Sequence, residues 1–363
     1  MMVCDKEKCT ACYACINICP KKCITIHDFG DSTIAKIDSD KCIKCNLCKS
    51  VCQSHQQVEM IDPFKSLEGW VANDEVRQQS SSGGFAAMIM MSFIKDGGYV
   101  AACLFKDGEF KFELTNKVDE VKYFVGSKYV KSKTLNIYSL IKQKLNSEKV
   151  LFIGLPCQVA GLKLYLKNIY ENLYTIDLIC HGTPSQKVFK KYYSEKSNIP
   201  LKERNNIVFR KKHNFQVYCD NEPLEYNGIQ DSYTIAFLDG LSYTENCYSC
   251  KYATIKRVSD LTLGDSWSYT DVDSNKGVSL ILIQTEKGDS LISNNCFVTK
   301  GIDINLAIST NHQLEHPSEQ NPKRKYFIEN YEKGFEKAVK KSLPKKFYKQ
   351  RLKKILKILK IYK

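Results

Sequence analysis

Apolar residues along this chain come in short runs, broken at intervals by glycine, proline or clustered charge. The stretch FAAMIMMSFIK (Phe85–Lys95) follows Ser80-Ser81-Ser82-Gly83-Gly84 and stops at Gly97-Gly98, which predicts a buried helix. YVAACLF (99–105) and FKFEL (110–114) alternate with a period of two, as the arms of a hairpin do. Residues 132–146 carry helical spacing. KVLFIG (149–154) and LYTIDLI (173–179) are compact apolar runs of the kind buried on both faces. Between them Pro156 opens a helix reaching Lys167, and a further helix is expected over 184–196. Strand, helix and strand in that order predict a parallel layer. Past residue 200 the pattern is mixed, with one clear strand at VSLILIQ (278–284). A short helical piece and a polar, proline-punctuated stretch (312–325) follow. The longest apolar run, 85–93, is too short to span a bilayer.

The first 62 residues read differently. Cys9, Cys12, Cys15 and Cys19, followed by Pro20, recur 33 residues later as Cys42, Cys45, Cys48 and Cys52. Each set has the spacing C-x2-C-x2-C-x3-C, which wraps thiolates around an iron–sulfur cube. In two-cluster ferredoxins the fourth cysteine of each run crosses to the other cluster. The expected sets are therefore Cys9, Cys12, Cys15 and Cys52 for one 4Fe-4S cluster and Cys42, Cys45, Cys48 and Cys19 for the other. Gln53 stands where the first run has its proline, a departure that bears on the local turn. Zinc ribbons use paired knuckles with long spacers, and these runs are too crowded for that. A disulfide framework needs an exporting segment, and MMVCDKEKCTAC does not read as a signal peptide. A reducing, cytoplasmic compartment is the expectation.

Four further cysteines are scattered. Cys157 follows Pro156 at a helix start, where partial positive charge favours a thiolate. Cys180 ends the next strand, before His181, and Cys247-x2-Cys250 is a chelating pair. The first two lie at the carboxyl ends of neighbouring parallel strands, where open α/β sheets bind ligands. Four readings stand for this set: a third cluster, cysteines that are simply buried small residues, a reactive thiol at Cys157, or structural zinc on the C-x2-C pair. Cys103, Cys219 and Cys296 read as packing residues, and Cys4 and Cys23 as bystanders of the first run.

SSSGGF (80–85), GSKYVKS (126–132), IGLPCQVAGLK (153–163), DLICHGTPS (177–185), CYSCKYA (247–253) and RVSDLTLGDSW (257–267) together resemble the coenzyme F420 hydrogenase/dehydrogenase beta-subunit family. The resemblance spans about residues 75–310, with the ferredoxin module fused ahead of it. It implies an FAD-binding iron–sulfur flavoprotein and a third 4Fe-4S cluster on Cys157, Cys180, Cys247 and Cys250. It further implies flavin contacts from Ser81, Ser82, Gly83 and Gly84 at a helix start, with Lys128 and Lys131 as phosphate partners. Arg257 and Asp265, in a matching stretch with Asp260, are expected cofactor contacts, Trp267 is an expected site wall, and Ser268 replaces the glycine usual after it. His181, a group that titrates near neutrality, is either a proton or hydrogen-bond donor to flavin or substrate, or a hydrogen-bonded turn residue.

Charge sharpens the picture at one end only. Residues 336–363 hold 12 Lys and Arg against Glu336 alone, so of the net +14 only +3 belongs to the rest of the chain. Tyr348, Leu352, Ile355, Leu356 and Leu359 fall on one helical stripe among these cations, a pattern typical of membrane-surface or partner-binding helices. No nucleic-acid motif accompanies it. The organisation expected is an α+β two-cluster ferredoxin domain (1–62), then an α/β flavoprotein region with a mixed, partly parallel sheet in two parts (63–145 and 146–325). A basic amphipathic helical tail (326–363) ends the chain. The function expected is an oxidoreductase passing electrons between clusters and FAD, to or from a small organic or deazaflavin-like substrate. The alternative is an electron-transfer subunit serving a redox partner protein. Peripheral contact with an anionic membrane at its inner face is expected of the tail.

Overall fold

The 33-residue repeat is a backbone repeat as well as a sequence repeat. In the computed structural model, which describes residues 1–269 and 275–359, helices Ala14–Ile18 and Leu47–Ser50 begin one repeat apart. Left-handed residues precede each at matching positions: Ala11 and Tyr13 (φ 51° and 65°), Lys44 and Asn46 (φ 56° and 59°). Non-glycine residues rarely adopt this conformation. Here the kink turns backbone N–H groups onto sulfur: Lys44 donates to Cys42 Sγ at 3.4 Å, and Ala11 bonds Cys9 in the same way. Between the two loops an antiparallel hairpin, β1 (Ile24–Asp28) and β2 (Thr33–Ile37), completes the module. Its small core consists largely of cysteine, packed with Val3, Ile24 and Ala35.

The body is built on one eight-stranded sheet. Its strands are β3 (Lys65–Val71), β4 (Tyr99–Lys106), β5 (Glu109–Thr115), β6 (Val150–Gly154) and β7 (Leu173–Leu178). A separate antiparallel set, β8 (Ile207–Lys211), β9 (Asn214–Cys219) and β10 (Glu222–Pro223), intervenes before β11 (Leu261–Asp265), β12 (Ser279–Ile283) and β13 (Phe297–Gly301). The large sheet runs β13-β3-β12-β11-β7-β6-β4-β5, and its centre, β4, β6, β7 and β11, is parallel. Every residue of β6 is buried, as its unbroken apolar sequence requires. Phe85, Ile89, Met90 and Phe93 of helix Phe85–Lys95 cover one face, and helices Ile137–Lys144 and Pro156–Leu166 cover the other.

The expected elements from 85 to 196 are present, with one shortened. The helix expected over 132–146 spans only Ile137–Lys144, because Lys133 pairs instead with β5, donating to Phe110 O and accepting from Phe112 N–H. The boundary at 145/146 falls within the sheet, so residues 63–145 and 146–325 contribute to one layer. Much of the tail belongs to the body. Phe327, Tyr331, Phe335, Val339 and Phe347 enter a core shared with Phe189, Phe209 and Tyr233, and burial of such side chains contributes about 1.5–3 kcal/mol each. Among the described residues no helix is long and apolar enough to cross a membrane.

Candidate functional site

Two cavities sort the eight repeat cysteines into crossed sets. One is walled by Cys9, Cys12, Cys15 and Cys52, and the other by Cys19, Cys42, Cys45 and Cys48. Each also admits a fifth thiol. Cys23 Sγ lies 3.5 Å from Cys19 Sγ, and Cys4 faces Cys9 and Cys52, so both line the cavities. Bonding to Cys4 holds Cys9 and Cys52 below an ordinary thiol, against the effect of burial. Among the described residues no three Cys, His, Asp or Glu side chains converge on a single-ion site.

The four scattered cysteines gather in a third group. Cys157 occupies the first turn of helix Pro156–Leu166, Cys180 follows β7, and Cys247 ends the short helix Glu245–Cys247 three residues before Cys250. Burial raises Cys157 well above an ordinary thiol, Lys131 opposes this, and Cys250, Cys180 and Cys247 add to it. Thr244 Oγ1 at 3.5 Å and Asn246 Nδ2 at 3.7 Å face Cys247 Sγ.

This group lies directly behind the first cysteine loop. A Cβ on Gly161, one turn beyond Cys157, would fall 2.8 Å from Cys12 Cβ and 2.9 Å from Cys12 Sγ. Gln53 ties the same junction: its amide donates to Thr10 Oγ1 at 2.8 Å and to Cys157 O at 2.9 Å. A proline there has no side-chain donor, so the departure from the first run supplies a clasp between module and body.

The Cys180 end of this group opens onto a cavity of about 430 Å³, within the ~300–1,000 Å³ range of ligand pockets. Ser81, Ser82, Gly84, Lys128, His181, Asp265 and Trp267 all line it. Ser81 Oγ accepts from Ser127 N–H at 3.0 Å, coupling two loops of the wall. Gly83 stands behind the wall, where a Cβ would meet Gly69 O at 2.4 Å. The Lys128 ammonium donates to Phe124 O and Val125 O at 2.7 and 2.8 Å, and burial pushes it down to about 8. Cys103, expected only to pack, also reaches the cavity.

Other expected contacts lie elsewhere. Lys131 is buried beside the first and third cysteine groups. Arg257 is sealed against Asp177 at 2.8 Å, and Asp260 accepts from Thr175 and Thr285 within the sheet. Ser268 lies 3.4 Å from Glu68 Oε2, beside the closer bond from Ser266 Oγ at 2.6 Å. Sequence reading missed Arg210. Its guanidinium is 4 % exposed, grips both oxygens of Asp265 (2.5 and 2.8 Å), donates to Ser81 O at 2.8 Å and lies over Phe215 and Trp267. Lys212 donates to Ser82 O and Arg77 O, so two cations brace the serine turn. An arginine inside the apolar run IVFRK, ahead of the turn at Lys212, was the available signal.

His181 shares its Nδ1 with Gln313 Nε2 at 2.6 Å, which leaves Nε2 to carry the proton when that amide donates. Burial, then the neighbouring His312, depress it to about 4, so at neutral pH it is an uncharged imidazole. It is equipped to donate a hydrogen bond from N–H rather than a proton from imidazolium.

Residues 147–301 match the family of C-terminal regions of the coenzyme F420 hydrogenase/dehydrogenase beta subunit, and residues 8–55 match a 4Fe-4S dicluster domain. The chain is thus similar to that beta-subunit family over its middle and to a dicluster ferredoxin ahead of it. The coenzyme F420-dependent sulfite reductase of Methanocaldococcus jannaschii is 24% identical over 320 residues, covering 83% of this chain and 48% of that protein. NADH-quinone oxidoreductase subunit I 2 of Geobacter metallireducens is 40% identical over 54 residues, 13% of this chain and 41% of that protein. The chain thus spans less than half the length of either curated relative. In a solved F420-reducing NiFe hydrogenase complex of Methanosarcina barkeri, one chain superposes with a TM-score of 0.47 at 17% identity, over 74% of this chain and 99% of that one. The sequence matches support an iron–sulfur protein with oxidoreductase relatives.

Proposed function

We propose that this protein is an iron–sulfur flavoprotein oxidoreductase. Electrons enter or leave through two clusters, on Cys9, Cys12, Cys15 and Cys52 and on Cys42, Cys45, Cys48 and Cys19. They pass a third on Cys157, Cys180, Cys247 and Cys250 and meet FAD in the 430 Å³ cavity. The observation that carries this reading is Cys180, which belongs to the third thiol group and also forms the cavity wall beside His181. The flavin supplies the interchange between one-electron and hydride chemistry. The chain's part is to hold it: the N–H groups opening helix Phe85–Lys95 and the Arg210–Asp265 pair bind and orient, Trp267 walls the site, and the His181 N–H serves flavin or substrate. The substrate is a small organic or deazaflavin-like molecule, as the name of the F420-dependent relative suggests.

Anaerobic purification with iron, sulfide and flavin quantified tests this directly. About twelve irons and one FAD per chain are expected, and eight irons without flavin would overturn the third cluster and the flavin together. Arg210→Met should keep the iron and weaken flavin retention about tenfold or more, the scale of one lost charged hydrogen bond. Wild-type retention would remove Arg210 from the cofactor site.

We also infer weak attachment of the tail to anionic lipid. Helix Pro344–Ile358 turns Phe347 into the body and bonds Gln350 to Gln230, while Tyr348, Leu352, Ile355 and Leu359 are 53–60% exposed. An outward apolar ridge flanked by lysines suits an acidic membrane surface, where each cation contributes on the order of 1 kcal/mol. Flotation with acidic liposomes should recover the full chain and lose it for the double variant Leu352→Glu/Ile355→Glu. Equal recovery of both would sink the inference.

A further inference from the structure

Lys131 is 8% exposed, and its ammonium donates to Asn246 Oδ1 at 3.2 Å and Thr10 O at 3.3 Å. Both acceptors are neutral, and among the described residues no carboxylate forms an ion pair with it. Thr10 lies between Cys9 and Cys12 in the first loop. Asn246 adjoins Cys247 and turns its own amide toward that sulfur. The cation is thus fixed between two thiol groups, behind the wall of the flavin cavity. A buried ammonium is costly unless negative charge lies near it. A 4Fe-4S core held by four thiolates is such a charge, and it becomes more negative on reduction.

We propose that Lys131 is the shared counter-charge of the first and third clusters, stabilising their reduced states and holding the electron at the junction between module and body. This rests on the third-cluster reading. Transfer of one electron between the two clusters would break no bond and move no proton. Because it serves both clusters, it lowers the cost of reducing either without tilting the route strongly toward one. Asn246 and Thr10 position it.

The test is an anaerobic redox titration of the full-length holoprotein, followed by electron paramagnetic resonance, for wild type, Lys131→Met and Lys131→Arg. Lys131→Met should make reduction of the first and third clusters about tenfold less favourable, 59 mV per tenfold for one electron. The cluster on Cys19, Cys42, Cys45 and Cys48 should stay unmoved as an internal reference, and Lys131→Arg should titrate near wild type. Unchanged potentials in Lys131→Met with full iron would overturn the proposal, as would an equal shift of all three clusters. If Lys131→Met loses iron, Lys131→Gln retains a donor without the charge and carries the same expectation. Eight irons in the wild type would defeat the third-cluster reading, and the first-cluster potential would still decide whether Lys131 acts as a counter-charge.

Discussion

Arg257→Met is expected to lower stability by about 3–5 kcal/mol, the cost of leaving one partner of a buried ion pair uncompensated. Arg257 and Asp177 are 2% and 0% exposed at their side chains, and two guanidinium nitrogens converge on Asp177 Oδ1 at 2.8 and 3.1 Å. The other carboxylate oxygen is buried and has no hydrogen-bond partner, so the guanidinium carries nearly all the compensation for that charge. The same arginine donates to Tyr252 O, Thr254 O and Leu178 O, tying the segment after Cys250 to the end of β7 before Cys180. Its loss should therefore loosen the third cysteine group as well. The measurement is anaerobic urea unfolding, where the midpoint should fall while the slope is kept. The double change Asp177→Leu/Arg257→Met should recover most of the loss, since replacing both partners of a buried pair is often neutral. A single variant within about 1 kcal/mol of wild type, less than the cost of an uncompensated charge, would show that the pair is not the sealed one described.

This pair also marks where sequence reading lost its grip. Arg257 lies in a stretch whose resemblance implied a cofactor contact, and only the tertiary fold places it beneath the site, 80 residues away from its partner Asp177. The cysteine repeat was legible because cluster chemistry demands one residue type at fixed local spacing. The central strands were legible because a parallel sheet buried on both faces needs unbroken apolar runs. The run IVFRK is only a faint local sign of Arg210, whose partners Asp265 and Ser81 come from distant segments, and β8 and β9 around it alternate too irregularly across the bulge at Val208/Arg210. Lys131 illustrates the same limit. Its motif placed it near a cofactor, but whether a lysine five residues into a loop faces a flavin or a thiol depends on which way the backbone leaves Lys128. Here residues 131–133 run extended, with Lys131 N–H bonded to Pro184 O and Lys133 paired with β5, and the ammonium turns toward Thr10.

Gly161→Ala is expected to destabilise the protein by about 1–3 kcal/mol and to slow electron passage from module to flavin. The sign is the opposite of the usual one, because alanine in a helix interior is ordinarily favoured over glycine by about 1 kcal/mol. Gly161 occupies the middle of helix Pro156–Leu166, where its φ needs no special freedom, so helical conformation alone does not call for glycine. Close approach does. An added Cβ would meet Cys12 Cβ at 2.8 Å, Cys12 Sγ at 2.9 Å and the Tyr138 hydroxyl at 3.1 Å. None of these yields easily: Cys12 is a proposed cluster ligand, and Tyr138 is fully buried and donates to Gln158 O at 2.8 Å. The first loop must therefore retreat from the helix that carries Cys157, straining the Gln53 clasp. Urea unfolding reads the stability, and stopped-flow absorbance reads flavin reduction after the clusters are reduced. A lower midpoint with slowed flavin reduction is expected. A stabilised Gly161→Ala with wild-type kinetics would mean that the module does not sit against this helix in solution, and the route from the repeat cysteines to Cys157 would have to run through another contact.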